Sequence, residues 1–169
     1  PEGQQLIEEA PRKIQKSESH SGAIYLDPAG TMIYTRLGEK PDEILRFQLK
    51  KGKWSKDGTI EKKFMKKGLI SSLSISHDTS LLAFSVLDPG SKTGMDIYIS
   101  KRKNNGWTKP ELAGEAINTP FNELGVCFHP KENKLYYSSQ GHNSSGGYDF
   151  FMVEYTDSTW SEPQNLGFP

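Results

Sequence analysis

The stretch GWTKP at residues 106–110 decides the fold, because it recurs as TWSEP at residues 159–163. Trp54, Trp107 and Trp160 are separated by 53 residues in both intervals. The chain has only three tryptophans in 169 residues, so equal spacing indicates an internal repeat rather than chance.

Neighbouring residues keep the same spacing. The pairs are Gly94 with Gly147, Asp96 with Asp149, and Pro110 with Pro163. The first copy aligns as well, but it is three residues shorter between Thr35 and Glu43. Length changes of this kind belong in surface loops, so the alignment places a loop there.

Each copy is predicted to contain four short strands, because apolar and polar residues alternate between turn signals. In the second copy we expect strands at Ile70–Ser76, Leu81–Val86 and Asp96–Lys101, and a fourth from Trp107. The third copy should have Glu123–Phe128, Lys134–Ser139, Asp149–Tyr155 and a fourth from Trp160. Asn-Gly at 105–106 is a strong hairpin signal.

A repeated four-stranded meander of roughly 50 residues is typical of β-propeller blades. The predicted class is therefore all-β, with about three blades that are part of a larger propeller. Residues 1–19 would be the end of a preceding blade and its link, followed by blades at 20–66, 67–118 and 119–169.

Propellers typically close with 4–8 blades, so three blades and one strand do not complete a ring. We favour membership of a longer chain. Two copies pairing to complete one ring, or residues 1–19 closing the circle with an edge strand, are the other two interpretations.

Composition excludes several classes of function. The 21 basic and 21 acidic residues balance, so no global field attracts the protein to nucleic acid or a membrane surface. Cys127 is the only cysteine, which rules out an internal disulfide, and no apolar run approaches the length of a membrane span. No signal peptide is visible, although a chain that starts at Pro1 without Met is expected to be a mature or excised piece.

The repeats resemble the TolB-like propeller repeat, a WD-like repeat of bacterial envelope proteins, over roughly residues 14–169. The motifs that carry the resemblance are DPAGTMIY at 27–34, INTPFNE at 117–123, GGYDFF at 146–151, and the two tryptophan stretches quoted above. The first copy departs from the pattern: it lacks the Gly-Gly-Tyr-Asp segment and has Lys56 and Asp57 where a proline is expected.

The resemblance implies a non-catalytic scaffold that binds other envelope proteins or peptides. Similar propellers occur beside helical repeats and OmpA-like peptidoglycan-binding domains, and some belong to the type IX secretion apparatus for protein transport. The implied location is the periplasm, associated with the outer membrane, in a peptidoglycan-linked or secretion complex.

In a propeller, the links between blades and the loops between strands two and three share one face. Here these segments are 118–123, 140–147 and 88–94. The candidate binding residues on that face are Asn118, Asn122, Glu123, His142, Asn143 and Tyr148. Triple substitution of Asn122, Glu123 and His142 is predicted to weaken binding while leaving the fold intact.

The repeated residues receive structural roles. Trp54, Trp107 and Trp160 are expected to pack between blades, Gly147 to supply flexible backbone, and Asp96 and Asp149 to accept hydrogen bonds from loop amides. We expect no metal and no cofactor, because the sequence has no Asp-x-Asp-x-Asp run and no histidine pair with zinc-ligand spacing.

No nucleophile elbow, phosphate loop or zinc-protease motif occurs in the sequence, so we predict no enzymatic activity for these residues. The alternative is the propeller portion of a periplasmic hydrolase, a peptidase or glycosidase, whose catalytic residues lie outside this chain. A third option is a homodimer whose six blades form one ring.

Overall fold

The structure, a computed structural model, describes residues 21–26, 31–36, 44–51, 53–60, 69–104 and 106–167. These residues form strands and no helix, and every strand pairing among them is antiparallel. The predicted all-β class is therefore confirmed for this part of the chain, which has no helix able to cross a membrane. The segment 1–19 lies outside the described residues.

The chain divides into two compact units, Pro1–Met65 and Lys66–Pro169. The first unit contains one sheet with the strand order β1-β2-β3-β4. Its strands are β1 (Ser21–Leu26), β2 (Thr31–Arg36), β3 (Ile44–Lys50) and β4 (Lys53–Ile60).

The second unit contains two sheets, in each of which the first four strands are consecutive neighbours and the fifth pairs with the third. The second sheet consists of β5 (Leu69–Ile75), β6 (Leu81–Leu87), β7 (Met95–Lys103), β8 (Gly106–Trp107) and β9 (Glu111–Leu112). The third sheet consists of β10 (Glu123–Phe128), β11 (Lys134–Ser139), β12 (Asp149–Thr156), β13 (Thr159–Trp160) and β14 (Gln164–Asn165).

The two sheets of the second unit share one pairing register at the 53-residue spacing. Arg102 faces Trp107 in one sheet, and Tyr155 faces Trp160 in the other. Between the central strands, Ser85 pairs with Ile97 just as Ser138 pairs with Phe150. Residues 53 apart in these strands therefore occupy equivalent positions in the two sheets.

The fourth strand of each of these sheets is split into two short segments, a break that the sequence did not predict. Pro110 lies between β8 and β9, and Pro163 lies between β13 and β14. Proline has no backbone N–H to donate to the ladder, so the pairing lapses and resumes beyond it. This is the structural consequence of the repeated prolines.

The core of the second unit lies between its two sheets. One contiguous cluster comprises Leu81, Ala83, Ile97, Ile99, Ile117, Val126, Phe128, Leu135, Tyr137, Phe151 and Val153. Ile97 and Ile99 face this core, whereas Tyr98 lies on the other face of β7 and stacks on Phe84 at 6.2 Å. This alternation is what the sequence pattern predicts.

Serine side chains join the second sheet to β10. Ser72 Oγ accepts a hydrogen bond from Val126 N at 3.1 Å, and Ser74 Oγ accepts one from Phe128 N at 2.9 Å. Ser85 Oγ donates to the Glu123 carbonyl at 2.7 Å. The serine hydroxyls thus give hydrogen-bond partners to backbone groups between the sheets that would otherwise lack them.

Candidate binding cleft

A cleft of about 670 Å³ opens on the second unit. Its walls come from three segments predicted to share one face, the β6–β7 loop, the link from Asn118 and the β11–β12 loop. Residues of β7, of β9 and of the segment after β9 complete the lining, although they were not part of that prediction. The lining residues are Asp88, Gly90, Ser91, Thr93, Asp96, Tyr98, Leu112, Glu115, Asn118, Thr119, Pro120 and His142. We call this the interloop cleft.

The side-chain amide of Asn118 holds the link against β7 by pairing with the backbone of Ile97, as the backbone of a neighbouring strand would. Its Oδ1 accepts a hydrogen bond from Ile97 N at 2.8 Å, and its Nδ2 donates to Ile97 O at 2.9 Å. The side-chain amide thereby extends the pairing of β7 beyond β9. The predicted binding residue Asn118 lines the cleft, but its amide group is engaged in holding the link.

Asn122 ties the same link to two neighbours. Its Oδ1 accepts a hydrogen bond from Met95 N at 2.9 Å, and its Nδ2 donates to Gln140 Oε1 at 2.9 Å. A Cβ atom at Gly94, where φ is +88°, would collide with Asn122 Oδ1. The repeated glycine is therefore required at this position both by backbone conformation and by close approach.

Glu123 is completely buried. Thr119 donates to its carboxylate from the backbone N–H at 3.1 Å and from Oγ1 at 2.6 Å, and Ser139 Oγ donates at 2.7 Å. Burial raises the pKa of the Glu123 carboxyl, against the opposing effect of these hydrogen bonds and of His142. The predicted binding residue Glu123 is thus an internal support for the cleft wall at Thr119.

The preceding repeat shows that this polar pair is not a general requirement of the fold. Glu123 pairs with Ser139 across β10 and β11, and Ile70 pairs with Val86 at the same register across β5 and β6. An apolar pair therefore serves the same structural position one repeat earlier. Of these two sheets, only the third has a carboxylate at this position.

Of the three predicted binding residues that follow β11, only His142 lines the cleft. His142 is half-buried, has φ +52°, and its Nε2 bonds to the Ile117 carbonyl at 2.8 Å. Its ring lies 5.4 Å from the ring of Phe151. Asn143 and Tyr148 are exposed and do not line the cleft.

The repeated aspartates organise their loops as expected, with one difference. Asp149 Oδ2 accepts a hydrogen bond from the loop amide of Ser145 at 2.8 Å. Asp96 Oδ2 instead accepts from the hydroxyls of Ser91 at 2.9 Å and Thr93 at 2.7 Å. Hydroxyl donors in this loop take the place of the predicted amides.

The three tryptophans, predicted to pack between blades, differ in their surroundings. Trp160 is half-buried against the core, with its ring 4.6 Å from that of Tyr155. Trp107 lies under the guanidinium of Arg102, whose Cζ is 5.0 Å from the ring centroid. Trp54 is half-buried on β4 of the first unit.

Negative charge dominates the electrostatics of the cleft. Among the described residues, its lining contains three carboxylates and no lysine or arginine. Burial raises the pKa of the Tyr98 hydroxyl, and the charges of Asp88 and Asp96 raise it further. No group of three or more His, Cys, Asp or Glu side chains in the described part of the chain is arranged to hold a metal ion.

Sequence reasoning missed Thr119, Ser139 and Gly141 as supporting residues of this site. The available signal was the comparison of repeats, because Glu123 and Ser139 stand where the preceding copy has Ile70 and Val86. A polar pair where the preceding copy has an apolar pair indicates that the two side chains do more than pack against each other.

Gly141→Ala is expected to lower the free energy of unfolding by about 1–3 kcal/mol, the usual cost of overpacking. A Cβ atom at this buried position would lie 2.6 Å from Thr119 Cγ2 and 2.7 Å from Thr119 Cβ. Gly147→Ala is the control, because a Cβ at Gly147 meets nothing within 4 Å. Urea denaturation measures both variants, and equal losses would contradict the close approach of Gly141 to Thr119.

No protein-family model matches the chain, and no curated protein matches it in a sequence search.

Proposed function

We propose that the three sheets are blades of a β-propeller of the TolB-like kind. Two observations support this: consecutive antiparallel strands in the main path of every sheet, and the same β6–β7 and β11–β12 register at the 53-residue spacing. In the second sheet Ile97 is buried by the third sheet, whereas the equivalent Phe150 of the third sheet is 64% exposed. The face around Phe150 is then the surface that a neighbouring blade covers.

The proposed function is non-catalytic binding of a protein or peptide by a scaffolding propeller of the bacterial envelope. The observation that carries the binding role is the interloop cleft, which three separate loop segments build on one rigid pair of sheets. The resemblance of the repeats to TolB-like proteins supports the periplasmic, outer-membrane-associated location and a role in a peptidoglycan-linked or secretion complex.

The bonding of the polar groups around the cleft supports a binding role over a catalytic one. The buried Glu123 carboxylate accepts a hydrogen bond from Thr119, and the His142 ring bonds to a backbone carbonyl. One oxygen of Asp96 accepts hydrogen bonds from two loop hydroxyls. Groups committed to holding loops in place are suited to presenting a fixed surface. A general acid or base must instead reach a substrate proton.

Selection from a displayed library of random peptides tests the function. Peptides that bind the chain are expected to lose affinity about fivefold on Leu112→Ser, because complete burial of a leucine side chain contributes about 1.5–3 kcal/mol and Leu112 has roughly half of its surface left to bury. Leu112 lines the cleft and is 56% exposed, so its replacement spares the core.

The matched control is Leu166→Ser, which removes a 47% exposed leucine outside the cleft. Its affinity should equal that of the unmodified chain. Selected peptides that bind both variants equally, or a selection that yields no binder, would overturn the cleft as the binding site.

A further inference from the structure

Asp96 lines the cleft, and only one of its two carboxylate oxygens accepts hydrogen bonds from the described residues. Its side chain is only 4% exposed, and both of its hydroxyl donors bind the same oxygen, Oδ2. Among the described residues, Oδ1 of Asp96 accepts no hydrogen bond and no cation pairs with the carboxylate. Oδ1 is not one of the buried polar atoms that lack a partner in the described part of the chain, so solvent still reaches it and a donor from a ligand can bind it.

Two further carboxylates reinforce this charge. Asp88 uses Oδ1 to accept a hydrogen bond from Gly90 N at 2.9 Å, which leaves Oδ2 without a donor from the described residues. Glu115 is exposed and forms no ion pair within that part of the chain. Since the whole chain carries equal numbers of acidic and basic residues, the acidic cleft is a local feature and not the surface of an acidic protein.

The cleft also has apolar walls. Tyr98, Leu112 and Pro120 line it beside the carboxylates. Lysine and arginine combine a long aliphatic stem with a cationic head, so one such side chain satisfies both parts of the lining. The volume of the cleft lies in the range of about 300–1,000 Å³ that is usual for ligand sites.

We infer that the interloop cleft binds a basic side chain, lysine or arginine, of a protein or peptide ligand. The cationic head lies against the free oxygens of Asp96 and Asp88, Glu115 adds attraction at the rim, and the stem packs along Tyr98 and Leu112. This inference rests on the proposed peptide-binding function and adds the chemical class of the residue that is recognised.

The test uses the peptides selected as described above for Leu112-dependent binding. We expect them to be enriched in lysine or arginine. Replacement of the basic residue by its neutral analogue, citrulline for arginine or norleucine for lysine, should weaken binding about tenfold or more, as expected for the loss of a desolvated charge pair.

The complementary variant is Asp88→Asn combined with Glu115→Gln, which leaves the loop-holding Asp96 unchanged. It should reduce the preference for the basic peptide over its neutral analogue to about threefold or less, because most of the attracting charge is removed. Glu162→Gln is the control: it removes an exposed carboxylate outside the cleft and should leave the preference intact.

The outcomes separate the two proposals. Cleft-dependent peptides without basic residues, or a charge preference that the double substitution leaves unchanged in size, would overturn the inference while leaving peptide binding in place. A selection without any Leu112-dependent peptide would overturn the proposed function itself, and the inference with it.

Discussion

Ile97→Ala is expected to lower the free energy of unfolding of the second unit by about 2–5 kcal/mol, the range for large-to-small changes in a core. Phe150→Ala, the substitution at the equivalent position of the next repeat, should change it by about 0.5 kcal/mol or less, as is usual at the surface. This contrast is the largest effect that the structure predicts for two matched positions.

The two positions have the same strand pairing but differ in whether other residues cover the side chain. Ile97 faces Ser85 across β6 and β7, and Phe150 faces Ser138 across β11 and β12. Ile97 is completely buried within the cluster that joins the two sheets, whereas Phe150 is 64% exposed. Truncation of Ile97 leaves a cavity lined by the third sheet, while truncation of Phe150 removes atoms that already contact solvent.

Urea denaturation followed by tryptophan fluorescence measures the contrast in a Trp54→Phe background. Trp107 and Trp160 then report on the second unit alone. The background change costs no hydrogen bond among the described residues, since Trp54 Nε1 has no partner there. Losses of similar size for Ile97→Ala and Phe150→Ala would contradict the packing of the third sheet on the second.

Glu123→Ala is expected to lower the free energy of unfolding by about 3 kcal/mol, because each buried polar group left unsatisfied costs about 1–3 kcal/mol. The Glu123 carboxylate accepts hydrogen bonds from Thr119 N, Thr119 Oγ1 and Ser139 Oγ. Thr119 also lines the cleft, so the same substitution should loosen the link and weaken peptide binding.

Glu123→Gln separates the role of the hydrogen bonds from the role of the charge. Burial raises the folded-state pKa of Glu123 above its unfolded value, so the folded state favours the protonated form. The stability contribution of Glu123 is therefore fully present below the unfolded pKa, about 4.3, and is lost as pH rises through the folded pKa. Glutamine cannot ionise and lacks this loss.

The measurement is the difference in unfolding free energy between Glu123→Gln and the unmodified chain, from about pH 4 to pH 8, a span around the ordinary glutamate pKa. The difference should move in favour of the glutamine variant as pH rises. Because both proteins share every other titrating group, the remaining pH dependence cancels. A difference that stays constant, or moves the other way, would show that the folded-state pKa of Glu123 is not raised.

The strands of the second unit were largely predictable from the sequence. β10 and β11 have the predicted bounds, and β6 and β12 extend one residue further than predicted. Period-two alternation fits β11, of which one face packs in the core. Leu81–Ser85 of β6 is buried on both faces, and the match with the next copy identified that strand. The lapse of pairing at Pro110 and Pro163 followed from the missing N–H of proline, which the alternation pattern does not register.

The candidate face was predictable in outline but not in detail. Loop segments around Asp88, Asn118 and His142 line one cleft. The interpretation of the repeats as propeller blades had predicted that these segments share one face. Glu123 was predicted to contact a ligand because it belongs to the link, yet it is completely buried. A triple substitution that includes Glu123 and Asn122 therefore removes structural hydrogen bonds, and the rim residue Leu112 is a better probe of binding.

By itself, the sequence determined the all-β class, the 53-residue repeat and the strand order, because periodicity and turn chemistry are local properties of the chain. Tertiary structure alone decided that Ile97 is covered while Phe150 is exposed, and that Asp96 offers a free carboxylate oxygen to a cleft. Burial and the hydrogen bonds available to a side chain depend on which distant segments meet. Two repeats with the same local pattern can therefore differ in what surrounds them.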